Sequence, residues 1–235
     1  MNSADPHLFV AYGGSLFAQD EVQVAEHPAL GPLKEALAAA DVRSTTLDHN
    51  GPTPVLVMGV EPRVSIETGP NPAAGRPNGL YGNAFARADP ETIRAATTRI
   101  DPPTISNLIA MSAPQGGYGL DRQDVIESIL TTAFTGFRAA VVESTKLRGK
   151  DASVVVHTGY WGCGAFGGNR VLMALLQLVA ANMAGLERVV FHTGGPGGEV
   201  PLERASSILS DLGGRGRIET QVVLEELVGM GLEWA

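Results

Sequence analysis

The chain has 235 residues, 44% hydrophobic and 18% charged, with a formal net charge of −8. That is enough apolar chain for a sizeable core, and one domain over residues 1–235 is expected. The acidic balance excludes broad, nonspecific binding to nucleic acid or to an anionic membrane surface.

Residues 8–12 (LFVAY) read as a first strand. It runs into Gly13-Gly14 and then into Gln19-Asp20-Glu21, at the start of an expected helical segment. Acidic residues in a first helical turn are also ordinary capping, so the residues alone leave Glu21 between catalysis and capping. A helix is expected over about residues 33–40, a connection over 41–51 and a second strand over 54–60 (PVLVMGV). Residues 61–89 are irregular and rich in Gly, Pro and Asn. Long loops of this kind tend to carry function. Tyr81 and Phe85 are its aromatics, suited either to stacking on a base or to pinning the loop to the body. Residues 104–112 (TISNLIAMS) read as a third strand, and 114–120, with Tyr118, as a loop. A helix is expected over 121–142, capped by Asp121, with Val125, Ile129, Leu130, Ala133, Phe134 and Phe137 as its apolar stripe. Residues 145–151 read as a basic turn.

The most informative stretch is 154–193. Residues 153–157 form a β-branched run without alternation, which predicts a strand buried on both faces. Gly162-Cys163-Gly164-Ala165-Phe166-Gly167-Gly168 follows, with four glycines in seven residues. Strong helix formers then run from Arg170 to Ala184, and Gly185 is a good residue to end them. Amides in such a loop, together with about +0.5 charge at the helix start, suit a phosphate. The spacing also fits GxGxxG, but a dinucleotide site needs an acid at the end of the next strand. That strand, 188–192, has Glu187 at its beginning instead, so the loop reads as a phosphate cradle and not as a Rossmann fingerprint. Gly194-Gly195-Pro196-Gly197-Gly198 is a second flexible loop. Residues 201–212 read as a helix, and 218–228 as a strand, a helix or both in sequence.

Cys163 is the only cysteine, which excludes an intramolecular disulfide and favours a reducing compartment. No His, Cys, Asp or Glu spacing implies a metal, and no cofactor is expected. Residues 1–6 lack a secretory pattern, and no apolar run near about 18 residues stands out, so a cytoplasmic monomer is expected. Strands alternate with helices, which predicts an α/β fold with a largely parallel sheet.

Two stretches read together carry a resemblance. Thr158-Gly159-Tyr160-Trp161-Gly162-Cys163-Gly164-Ala165-Phe166-Gly167-Gly168-Asn169 resembles the TGNWGCGAFGGD motif of the poly(ADP-ribose) glycohydrolase family, a branch of the macrodomain fold. Leu172-x-x-Leu175-Leu176-Gln177 is similar to that family's LKALIQ-type helix, and residues 126–137 to the helix ahead of the strand. Gly13-Gly14, a spacer and Gln19-Asp20-Glu21 resemble its glycine triplet followed by Gln-Glu-Glu, and Pro28-Ala29-Leu30 keeps the family's distance from the last acid. Tyr12 stands in place of the first glycine, Asp20 of the first glutamate and Tyr160 of the motif's asparagine. The resemblance touches residues 8–30 and 104–193.

It implies a compact, microbial-type macrodomain: a three-layer α/β/α sandwich around a central mixed, largely parallel sheet. The implied activity is hydrolysis of ribose–ribose O-glycosidic bonds in poly(ADP-ribose). Such cleavage passes through an oxocarbenium-like state and needs a proton for the leaving oxygen. The resemblance gives Glu21 that role, with Asp20 beside it, and gives Gln19 and Asp20 contacts to the substrate ribose. Gly13, Gly14, Tyr81, Tyr160 and Phe191 are the further expected substrate contacts. Gly162, Cys163, Gly164, Ala165, Phe166 and Gly167 would hold the diphosphate. The expected partners are ADP-ribose and ADP-ribosylated macromolecules, nucleic acid only if ADP-ribosylated, and no membrane. The alternatives are an ADP-ribose-binding macrodomain without turnover, or a hydrolase removing mono-ADP-ribose from protein or nucleic acid.

Overall fold

A computed structural model of the chain describes residues 1–114, 119, 122–164, 166–213 and 220–234. In chain order the elements are β1 (Asn2–Ala4), α1 (Gln19–Glu26), α2 (Leu30–Ala39), β2 (Leu47–Asp48), β3 (Gly51–Pro52), β4 (Val55–Val60), β5 (Val64–Ile66), α3 (Pro90–Ala96), β6 (Thr97–Arg99), β7 (Ser106–Ser112), α4 (Gln123–Arg148), β8 (Val155–Gly159), α5 (Arg170–Ala184), β9 (Arg188–His192), α6 (Glu199–Gly213) and α7 (Thr220–Gly229). Two compact units interleave in sequence. One takes Asn2–Thr46 and Val55–Ala110; the other takes Met1, Leu47–Pro54 and Met111–Ala235. The fold is α/β with mixed pairing. β8 and β9 are parallel, whereas β4–β7, β2–β3 and β5–β6 are antiparallel.

In the first unit β7 runs between β1 and β4. Val55, Leu56 and Val57 pair with Ala110, Ile109 and Leu108, and the register shifts before Val60. Gly59, at φ +77°, supplies the left-handed residue that such an irregularity favours. Leu8, Phe9, Val24, Leu30, Val60, Leu108 and Ala110 close the core, with Tyr12, Leu33 and Leu37 packed against it. Residues 8–12 are not the expected strand. They form successive turns, with Val10 N donating to His7 O, Tyr12 N to Phe9 O and Gly14 N to Ala11 O. Phe9 is buried in a left-handed conformation (φ 51°), whereas Val10 is 49% exposed. A short apolar run signals burial, and burial is compatible with turns as well as with a strand.

In the second unit β8 and β9 pair in register from Val155↔Arg188 to Gly159↔His192. Helix α5 spans the residues expected of it and ends on Gly185 in the left-handed region. Leu172, Met173, Ala174, Leu175, Leu176, Ala180 and Ala184 leave no polar stripe, so α5 is a helix that must be covered. Helices α4 and α6 pack against it. Of the expected stripe on α4, Ile129, Leu130, Ala133 and Phe137 are buried, and Val125 and Phe134 are half-buried. The N-cap position is Arg122, one residue after the expected Asp121, which itself lies outside the described residues. The helix continues to Arg148, through most of the expected basic turn. By length and composition alone α4 could cross a bilayer, a run that the sequence reading did not single out. Strand β8 alternates: Val156 and Thr158 are buried while Val155 and His157 face out, against the expectation of burial on both faces. β-branched residues specify an extended backbone here and not what covers it. Helix α6 begins two residues earlier than expected, and α7 resolves residues 220–229 as helix.

Leu175 is wholly buried at the centre of α5. Leu175→Ala is expected to cost about 2–5 kcal/mol, read as a lower urea midpoint, without changing the helix content of the folded protein.

Candidate functional site

In the first unit the chain is led into α1 by Phe17, whose ring stacks on Phe85 at 4.1 Å and 18°. Phe17 N donates to Gly82 O and Gly82 N to Phe17 O, so the irregular 80s loop is fastened to the approach to α1. Phe85 therefore pins the loop, while Tyr81 stays 54% exposed beside it. Gly13 and Gly14 lie in the turn ahead of α1, and a Cβ on Gly14 would stand 3.0 Å from Ala11 O.

Gln19, Asp20 and Glu21 form the first turn of α1. Ser3 N donates to Gln19 Oε1 at 2.6 Å, and Asn2 Nδ2 donates to Asp20 Oδ1 at 2.9 Å. Strand β1 thus holds two of the three signature side chains. Both acids are buried, Asp20 at 7% and Glu21 at 5% exposure. Glu21 Oε2 accepts the Ala18 amide at 2.9 Å, the reciprocal half of a capping box. Its other oxygen has no hydrogen-bond partner among the described residues. The Asp20 carboxyl is pushed up from 3.8 to about 6 by burial, against the pull of the Asn2 amide and with a contribution from the Glu21 charge.

The second unit carries the glycine cradle. β8 and β9 are parallel, so both end at the same edge, where α/β sheets take ligands. After β8, Gly162 turns at φ +76°, and Gly168 N returns to Gly162 O at 3.0 Å. A Cβ on Gly168 would meet that oxygen at 2.9 Å, so the loop closes only around glycine. Gly167 N donates to Gly164 O and Cys163 N to Tyr160 O. The amides of Gly162, Gly164 and Phe166 have no partner among the described residues. Asn169 caps α5, its Oδ1 accepting Val171 N at 3.0 Å and Leu172 N at 3.1 Å. The helix-start amides that the sequence reading offered to an anion are thereby occupied by the cap, and the loop amides are the ones left. Cys163 is half-buried, with its thiol 3.7 Å from Trp161 O. Phe166 is 42% exposed, and Ala165 lies outside the described residues.

After β9, the second glycine loop turns at Gly194 and Gly197 and leads into α6. Tyr160 joins the two loops: its hydroxyl donates to Gly198 O, and its ring meets Phe191 edge-on at 5.0 Å. The Arg170 guanidinium lies 5.3 Å above the same ring. Tyr160, Phe191, Gly162, Cys163, Gly164, Phe166 and Gly167 are thus one neighbourhood, and Gln19, Asp20, Glu21 and Tyr81 belong to the other unit. Sequence reasoning missed Asn2, Ser3 and Gly198, which act through long-range hydrogen bonds that no local spacing signals. Among the described residues no three His, Cys, Asp or Glu side chains cluster as metal ligands.

Residues 106–196 match the family model described as poly(ADP-ribose) glycohydrolase (PARG), macro domain fold. The matched stretch is less than half of the chain. It contains β8, the whole cradle, α5 and β9. The chain is also similar to the crystal structure of poly(ADP-ribose) glycohydrolase from Thermomonospora curvata, at 16% identity and a TM-score of 0.44 over 87% of this chain. The match covers 66% of the length of that protein.

Asp20 gives a prediction with a definite sign. Its native pKa is raised, so its contribution to stability is complete below pH 3.8 and is lost as pH rises through about 6. The loss amounts to about 3 kcal/mol. Asp20→Asn is expected to gain stability relative to wild type by about 2.4 kcal/mol between pH 4 and pH 8. Urea unfolding at the two pH values measures it, and a difference that stays flat with pH contradicts the assignment.

Proposed function

We propose that this chain is an ADP-ribose glycohydrolase that hydrolyses the ribose–ribose O-glycosidic bonds of poly(ADP-ribose). The observation that carries this reading is the PARG family match over residues 106–196, which takes in the whole glycine cradle. The loop amides of Gly162, Gly164 and Phe166 receive the diphosphate, as oriented backbone donors suit an anion. Glu21 is the general acid/base. Its carboxyl gives a proton to the leaving ribose oxygen as the glycosidic C–O bond breaks, and its carboxylate takes a proton from the water whose oxygen bonds to the anomeric carbon. Gln19 and Asp20 orient the ribose. The unpartnered oxygen of Glu21 supports the assignment, because the capping bond occupies only the other one.

A second reading is an ADP-ribose-binding macrodomain without turnover. The observation in its favour is that same capping bond, which gives Glu21 a structural role sufficient to account for its presence. Incubating the folded protein with labelled poly(ADP-ribose), mono-ADP-ribosylated protein and mono-ADP-ribosylated nucleic acid separates these readings. The expected result is ADP-ribose release from the polymer, faster than from either mono-ADP-ribosylated substrate. Release from none of the three, with binding intact, leaves the binding module.

Glu21→Gln keeps an oxygen for the Ala18 amide and removes the titratable carboxyl. It is expected to lower kcat by about 10²–10⁴-fold while ADP-ribose affinity, measured by calorimetry, stays near that of wild type. Glu21→Ala also loses the cap and should cost about 0.5–2 kcal/mol of stability.

A further inference from the structure

Strands β8 and β9 place two histidines on one exposed face. His157 pairs in register with Val190, and His192 with Gly159, so the two imidazoles are diagonal neighbours across the parallel pair. Gly159 has no side chain to fill the space opposite His192. The rings stack at a centroid distance of 5.3 Å and 26°, with His157 Nδ1 3.0 Å from His192 Nε2. Both residues are exposed. They are 35 positions apart in the chain, which is why no ligand spacing in the sequence reveals them.

We propose that His157 and His192 form a binding site for a late first-row divalent metal ion, with His157 Nδ1 and His192 Nε2 as its two protein ligands. Two nitrogens each about 2.1 Å from one ion stand about 3.0 Å apart at a right angle and about 3.4 Å apart at the tetrahedral angle. The observed 3.0 Å already falls at the first of these values. A neutral imidazole pair at this distance shares one N–H, which donates to the partner nitrogen's lone pair. For chelation the donor ring changes tautomer, its proton passing through solvent to its other nitrogen, so both facing nitrogens present lone pairs. The two nitrogens lie nearly in line between the ring centres, and each exposed ring turns by about 35–45° to aim its lone pair at a common point. Imidazole ligands select copper, nickel and zinc over magnesium and calcium, and affinity peaks at Cu²⁺. With two protein ligands the remaining positions belong to water, so the site is open and exchangeable, unlike a closed structural zinc site. This assignment is independent of the glycohydrolase reading, since it uses neither the cradle nor Glu21.

The test is Cu²⁺ titration of the full chain, followed by calorimetry and by electron paramagnetic resonance, with Zn²⁺ as competitor. The expected result is saturable binding of one ion per chain, showing hyperfine coupling to two imidazole nitrogens and displaced by excess Zn²⁺. His157→Gln and His192→Gln are each expected to weaken binding by at least about tenfold. His7→Gln and His49→Gln should leave it unchanged. Binding that survives both His157→Gln and His192→Gln, or a wild-type spectrum without two imidazole nitrogens, overturns the proposal and leaves a plain histidine–histidine hydrogen bond. The absence of saturable binding in the wild type overturns it as well.

Discussion

The cradle depends on one buried amide. Gln177, wholly buried on α5, accepts from Thr158 Oγ1 at 2.5 Å and donates through Nε2 to Gly159 O and Met173 O, each at 3.0 Å. A buried polar group this well satisfied is costly to disturb, because any displacement leaves donors or acceptors without partners away from water. The end of β8 is thereby locked to the second turn of α5. The intervening loop must span two fixed points, and it does so by folding Gly168 back onto Gly162. What results is a rigid set of backbone donors, at the strand edge where parallel α/β sheets bind ligands.

The first unit solves a different problem, that of keeping two adjacent acids buried. Asp20 and Glu21 are neighbours in sequence but not in environment. Asp20 faces the Asn2 amide and is desolvated, so its neutral form is favoured. Glu21 spends one oxygen on the Ala18 amide and keeps the other. Hydrogen bonding thus gives the two buried carboxyl groups of one turn different surroundings. Strand β1 is the device that makes this possible: three residues long, it supplies Asn2 and Ser3 to α1 at a separation of 16 to 18 positions.

Much of this was legible in the sequence, wherever the signal was local. Helix α5 and its glycine stop, the stripe on α4 and the cradle follow from helix propensity, periodicity and glycine content. What escaped was governed by burial without periodicity. Residues 8–12 are apolar enough for a strand, yet Phe9 enters the core from a left-handed turn, and the first strand lies earlier, at polar Asn2–Ala4. The strands β5 and β6, which pair Val64 with Arg99 and Ile66 with Thr97, are too short to show alternation within an irregular stretch. Asn2 carried no local mark at all, because its partner is eighteen residues away.

The departures from the family motif also gain a physical meaning. Tyr160 stands where the resembling motif has an asparagine. The structure accommodates the larger side chain by using all of it. The hydroxyl donates to Gly198 O, the ring edge meets Phe191, and the ring face takes the Arg170 cation. Burial holds the phenol above its usual pKa, so it remains a donor throughout the physiological range. Gly198 is fitted for its part, since a Cβ there would stand 2.2 Å from Thr193 O. Tyr160 therefore ties the two glycine loops into one braced structure. The cradle is held by an aromatic tie, with a cation resting on its face.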